Sequence, residues 1–213
     1  MTTAIPSIAC LGVIGRNNNP LHMSIFPSHD PATDTFAPLH SPLRFSLLLS
    51  STIDVFELRA RHNSGAAGEP PGAPFAGLVT GDAGLLHAID DRLAAYGFET
   101  NTGVRMVCVV DMRGRSGAVA DAAAAAAAAS ASSSAGSSPP APRPSGAGLR
   151  DAELKPVFRA MQTAYVRLLQ NPFFDPDEHT PLGGRGGKGI SSKRFIEDMR
   201  RIGEAWTPGV TSL

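Results

Sequence analysis

Gly183 to Ser192 read GGRGGKGISS, a glycine-rich run that carries a lysine and two serines. Backbone amides beside a lysine are the means by which a short loop cradles a phosphate. The motif GxxxxGK[ST] needs a glycine five residues before the one that precedes the lysine, and a hydroxyl directly after the lysine to hold Mg²⁺. Those positions are Leu182 and Gly189. The run also follows a proline-bearing turn where the motif requires a buried strand. On these three counts it reads as a flexible loop rather than a nucleotide site.

Other reactive side chains give no stronger pattern. His22, His29, His40, His62, His87 and His179 are scattered, and none stands in HxxxH or HExxH spacing. No GxSxG elbow occurs; Ser64-Gly65 and Ser116-Gly117 lie in linker-like stretches. Asp175, Asp177 and Glu178 beside His179 lack the spacing of a calcium loop and read as a solvated acidic turn. Cys10 and Cys108 sit in apolar runs without CxxC spacing. They read as buried thiols of a reducing compartment, not as a disulfide or zinc site. Lys188, Lys193, Arg194, Arg200 and Arg201 make the last quarter locally basic. That is a solvated helix face or a contact for an acidic partner or anionic lipid. The whole chain has 19 basic and 19 acidic residues, so nothing draws it toward nucleic acid at long range.

The elements that would position these residues follow from periodicity. Ser7 to Ile14 is an apolar run of strand length, and Arg16 to Pro20 is a dense turn. Leu21 to Phe26 alternates and completes a hairpin. The N-terminal apolar run has no basic leader and is broken by Pro6, so a buried strand explains it better than a signal peptide. No window is long and apolar enough to span a membrane, and the expected compartment is the cytosol. Pro27 to Pro42 reads as a polar connection. From Leu43 the period becomes helical, ending near Arg61, with Leu43, Leu47, Ile53 and Phe56 on a broad apolar face. Asp54 lies within that stretch, and an acid buried alone there is costly. It faces solvent, caps a backbone group or faces a partner. Phe75 to Val79 is a strand candidate, and Ala83 to Leu93 is ambiguous, with a short helical insertion as one reading.

Ala94 to Thr100 and Val104 to Asp111 are strands joined by a tight Asn101-Thr102-Gly103 turn. Met112 to Gly148 is a Gly, Ala, Ser and Pro tract with little to bury, and is expected to be disordered. Leu154, Val157, Phe158, Met161, Tyr165, Leu168 and Leu169 step by three and four along a helix that stops at Asn171-Pro172. A last helix runs from about Ser191 to Trp206, with Ser191 or Ser192 placed to cap it.

Three groups of residues then take on meaning through their order. Leu43-Arg44-Phe45 is followed by Ser51-Thr52-Ile53-Asp54-Val55-Phe56-Glu57. Tyr96-Gly97-Phe98 runs through Thr102 and Arg105-Met106-Val107 to Val110-Asp111. Leu149-Arg150-Asp151, Phe158 and Tyr165 lead to Asn171-Pro172-Phe173-Phe174 and then to Ser191-Ser192-Lys193-Arg194-Phe195. The set resembles the sedlin family of subunits of the TRAPP (transport protein particle) vesicle-tethering complex. In that family an Asn-Pro-Phe-aromatic turn joins the last two helices, and Ser-Ser-x-x-Phe opens the final one. The resemblance fails at 62–74, 112–148 and 176–190, which read as loop or disordered insertions into one domain spanning 1–213.

The resemblance implies an α/β (α+β) longin or SNARE-like fold. A five-stranded antiparallel sheet lies between one helix and two helices, in the order β-β-α-β-β-β-α-α. It implies a non-catalytic adaptor in a tethering complex with Rab guanine-nucleotide-exchange activity, in ER-to-Golgi and Golgi traffic. The implied partners are other TRAPP subunits. No cofactor, metal, catalytic residue, nucleic acid or small-molecule substrate is implied, and membrane association is peripheral, through the complex. The interaction residues expected are Asp54, Asn171, Pro172, Phe173 and Phe174. Two alternatives stand beside it: another longin-type coat or SNARE-associated regulator, and a nucleotide-binding enzyme using the glycine-rich loop. A SNARE would need a long heptad helix after the domain, where this chain stops at Leu213.

Overall fold

A computed structural model describes residues 5–30, 33–65, 84–115, 149, 151–174 and 189–213. Two strands are buried along nearly their whole length, β1 (Ile5–Ile14) and the Arg105–Arg115 strand. The first is rich in Ile, with Leu, Val, Ala and Cys, the second carries three Val, two Met and a Cys, and they pair antiparallel. An antiparallel strand usually wets one face; these two wet neither, so the sheet needs cover on both sides.

The remaining elements supply that cover and extend the sheet. In chain order they are β2 (Pro20–Ile25), β3 (Pro27–Asp30), β4 (Thr35–Pro38), α1 (Pro42–Gly65), β5 (Gly84–Ala88), β6 (Leu93–Glu99) and β7 (Arg105–Arg115). A 3₁₀ turn (Asp151–Leu154), α2 (Lys155–Leu169) and α3 (Lys193–Ala205) follow. Five strands form an antiparallel sheet in the order β2-β1-β7-β6-β5, and β3 with β4 forms a separate two-stranded ribbon.

Alternation along β7 sorts the core into two layers. Met106, Cys108 and Val110 pack with Val157, Phe158, Met161, Phe195, Met199 and Trp206 of the α2–α3 side. Val107 and Val109 pack with Phe45, Leu49 and Phe56 of α1. On β1 the alternation breaks at a register shift between Ile8 and Cys10, so Ala9 and Cys10 both join the α1 layer. A β-bulge does this by adding one residue to one strand. Two glycines let α1 lie close to the sheet. A Cβ at Gly12 would stand 2.6 Å from Leu49, and one at Gly97 would overlap Phe56 and Leu86.

The expected element string holds, with three corrections. Ala83 to Leu93 contains the edge strand β5, not a helical insertion. Its runs are too short to show a period, and pairing with β6 supplies its hydrogen bonds. Pro27 to Pro42 is not a plain connection but holds the β3–β4 ribbon. Of the tract expected to be disordered from Met112, Met112 to Arg115 instead belong to β7. There Ile5 pairs with Arg115, and Met112 donates its N–H to the Arg92 carbonyl at 2.8 Å. Phe75 to Val79 lies outside the described residues, as does nearly all of the three expected insertions. At their margins, α1 carries on through Gly65, and Ile190 is buried, donating to the Leu21 carbonyl at 2.7 Å.

A carboxylate is buried at the sheet's end. Asp111 has no solvent exposure, and Arg92 meets it with Nε at 2.9 and 3.0 Å from its two oxygens and a second nitrogen at 2.8 Å. That second nitrogen also donates to the carbonyl of His29 at 2.7 Å, which ties β3 to the β5–β6 turn and β7. The hydrogen-bonded carboxylate raises the pKa of Arg92 further above its ordinary value. Removing one member of a buried pair strands the other. Arg92→Met is therefore expected to destabilise the fold by about 3 kcal/mol, the lower end of the usual cost, since Arg92 keeps some exposure. Arg92→Met with Asp111→Leu should lose less. Urea unfolding of the two variants checks this, and equal losses would show that the pair is not coupled.

His22 stands edge-on to Phe195 with 5.3 Å between ring centres, and its Nε2 lies 2.7 Å from Ser24 Oγ. Burial lowers its pKa below the ordinary 6.5. Burial, and then Arg44, lower that of His40. The unfolded chain thus takes up protons first as pH falls. The stabilising share is complete above the ordinary histidine value and is lost as pH drops below it toward the lowered values. The urea midpoint should fall between about pH 7.5 and about pH 5, and less steeply in His22→Leu.

Candidate protein-interaction surface

Helix α1 packs against the sheet through Phe45, Leu49, Thr52 and Phe56, all buried. The helical period then decides what points away. Leu43, Leu47, Asp54 and Leu58 follow at intervals that return to one side of a helix of 3.6 residues per turn. That side is opposite the buried one. Leu43 is 71% exposed, Leu47 62% and Leu58 55%, and Asp54 is exposed among them. Of the choices open for Asp54 in the sequence, it takes the outward one. A row of exposed leucines around one acid is an apolar patch of the kind that marks a contact surface.

The second expected site is the turn after α2. Asn171 donates its N–H to the Leu168 carbonyl at 3.1 Å and closes the helix. Its side-chain oxygen accepts the Phe173 N–H at 3.1 Å, and its carbonyl accepts the Phe174 N–H at 3.0 Å. Asparagine suits this place because its short amide can bond the backbone two residues on. The turn sends the two rings opposite ways. Phe174 is half-buried against the α2–α3 core layer, whereas Phe173 is 94% exposed. Asn171 and Pro172 are exposed as well.

The two expected sites do not meet. Asp54 lies on the helix covering one face of the sheet, and Asn171 to Phe174 follow the helix covering the other. Leucines 43, 47 and 58 were missed as surface residues. Leu43 and Leu47 read from the sequence as part of the buried face, and only their angular match with Asp54 signals otherwise.

The remaining candidates for chemistry are placed apart. His22 packs on Phe195, His29 lies 2.8 Å from Asp34, His40 lies beside Phe45 and His87 is exposed on β5. Among the described residues no three His, Cys, Asp or Glu come together as a metal site. Cys10 and Cys108 belong to opposite core layers, so the sheet separates them. Burial pushes the Cys10 thiol up to about 12 and the Cys108 thiol well above its ordinary value, which holds both as neutral core groups. The glycine-rich run up to Lys188, the acids at 175–178 and His179 lie outside the described residues. Ser192 takes the N-cap position of α3 without a side-chain capping bond. No helix among the described residues is long and apolar enough to cross a membrane.

Comparison with known proteins bears on these surfaces. The chain is similar to the trafficking protein particle complex subunit 2-like protein of Dictyostelium discoideum, at 20% identity over 92% of this chain and 95% of the relative. It is similar to the protein of that name in Bos taurus, at 22% identity over 88% of this chain and 96% of the relative. For the Mus musculus protein the identity is 22% over 79% and 84%. The Sedlin family model matches residues 13–204. That span runs from inside β1 to the last turn of α3 and takes in both helical layers, and the chain belongs to the Sedlin family.

Proposed function

We propose that this chain is a non-catalytic adaptor subunit of the TRAPP vesicle-tethering complex, itself a Rab guanine-nucleotide-exchange assembly. It works in ER-to-Golgi and Golgi traffic, in the cytoplasm and peripheral to those membranes, through contacts with other TRAPP subunits. The supporting relatives are subunits of a trafficking protein particle complex by name. The observation that carries the reading is the outward stripe of α1, where Leu43, Leu47 and Leu58 surround Asp54. Exposed leucines in such a row are stable in water only at a cost that a partner removes. An acid in their midst fixes which partner fits, since a buried unmatched charge is strongly rejected. Phe173 on its hydrogen-bonded turn is a second anchor, of the aromatic kind that dominates interface energies.

Asp54→Tyr is expected to weaken association with the neighbouring subunit while leaving the thermal unfolding midpoint unchanged, because Asp54 makes no core contact. Affinity purification with mass spectrometry reads the association, and unchanged recovery of TRAPP subunits would remove this face from the proposal. Phe173→Ser should likewise leave stability unchanged within about 0.5 kcal/mol and cost about 1 to 2 kcal/mol of binding. Failure of the unaltered chain to bring down any TRAPP subunit would overturn the adaptor reading itself.

A further inference from the structure

Helices α2 and α3 run antiparallel on the sheet. The start of α2 (Pro156, Arg159) faces the end of α3 (Ile202, Ala205), and Arg167 near the end of α2 reaches toward Asp198 in α3. Between them lies a groove of about 370 Å³, with Thr211 to Leu213 along one side. Its floor is made of small and apolar side chains, Ala160, Ala164, Ile202 and Ala205.

Its charge is one-sided. Helix α2 carries Lys155, Arg159 and Arg167 and no acid. Three arginine side chains line the groove, Arg159, Arg167 and Arg201, against one acidic side chain, Asp198, and the α-carboxylate of Leu213. Asp198 takes a 2.9 Å bond from Arg201 and lies 3.8 Å from Arg167. The heads of Arg167 and Arg201 thus meet at a carboxylate, and Arg159 lines the same groove. The guanidinium of Arg159 has no hydrogen-bond or ion-pair partner among the described residues. In a chain whose charges sum to zero, this concentration is local.

We propose that the α2–α3 groove docks an acidic, amphipathic helical segment of a partner protein. Its apolar stripe lies on the alanine–isoleucine floor, and its carboxylates take charge-assisted bonds from Arg159 and Arg167. The concave form favours a peptide over a bilayer, because a flat membrane meets the arginines without reaching the floor. This is a second protein contact on the face opposite α1, and it rests on the adaptor reading.

The test uses the full chain and a fluorescently labelled Glu/Leu amphipathic peptide of about four helical turns. A charge-matched Glu/Gly peptide and phosphatidylserine-containing vesicles serve as competitors. The Glu/Leu peptide should bind, with affinity falling about tenfold or more in both Arg159→Glu and Arg167→Glu. Arg159→Gln should give a smaller fall, and the thermal unfolding midpoint of each variant should match the unaltered chain. Equal binding of the Glu/Gly peptide would overturn the proposal, because the floor would then contribute nothing. Unchanged affinity in both charge reversals would overturn it too, as would binding to vesicles without binding to the Glu/Leu peptide. Recovery of TRAPP subunits is measured on the same samples. If that recovery persists while the peptide fails to bind, the groove falls and the adaptor reading stands.

Discussion

Everything in this fold follows from a pair of strands that cannot face water on either side. β1 and β7 lie at the middle of the sheet, and their residues from Ile8 to Ile14 and from Met106 to Val110 are buried. Neighbouring residues on a strand point to opposite faces, so such strands demand apolar cover twice. Helix α1 provides it on one side and the α2–α3 pair on the other. The bulge between Ile8 and Cys10 and the two glycines facing α1 are local adjustments to this demand. The first redirects one side chain, and the second removes the atoms that would hold the helix away.

The same demand explains where the polar exceptions stand. Asp111 is buried where the pairing of β7 with β6 ends, and a lone carboxylate there would be strongly unfavourable. Arg92 answers it from the β5–β6 turn, and the Arg113 N–H adds a 2.9 Å bond. Because Arg92 also holds the His29 carbonyl, matching this one charge fastens the β3–β4 ribbon to the sheet. At the other end of β7, Arg105 bonds Asn18 of the β1–β2 turn, lies 3.4 Å from Glu99 and sits over the Phe56 ring of α1. Each charge near the core is used to join elements distant in sequence.

A helix that covers one face of a sheet has only one side to give to it. In α1 the apolar residues exceed what that side can hold. Phe45, Leu49 and Phe56 fill the contact, and Leu43, Leu47 and Leu58 are left outward around Asp54. Helices α2 and α3 divide their surface differently. Their apolar stripes go inward, and their arginines rim the groove between them. The two outer faces of the molecule therefore differ in chemistry, one leucine-rich and the other basic, and each suits a different kind of partner.

Much of this was legible in the sequence because it rests on short-range rules. Alternation and apolar runs marked β1, β2, β6 and β7, and the Asn101-Thr102-Gly103 turn joined the last two. The three-and-four spacing from Leu154 to Leu169 marked α2, and Asn171-Pro172 ended it. Order along the chain carried the family resemblance. Short-range rules could not find β5, whose five residues have no period of their own and become a strand by pairing with β6. Nor could they find the β3–β4 ribbon, which pairs with itself and is held to the sheet through Arg92. The site divides in the same way. The sequence by itself determined that Asp54 interrupts an apolar helix and that Phe173 follows a helix-ending turn. Only tertiary structure decided which leucines of α1 face water, and that Arg167 and Asp198 share a groove. Those facts depend on which side of each helix meets the sheet, and packing between elements far apart in the chain sets that choice.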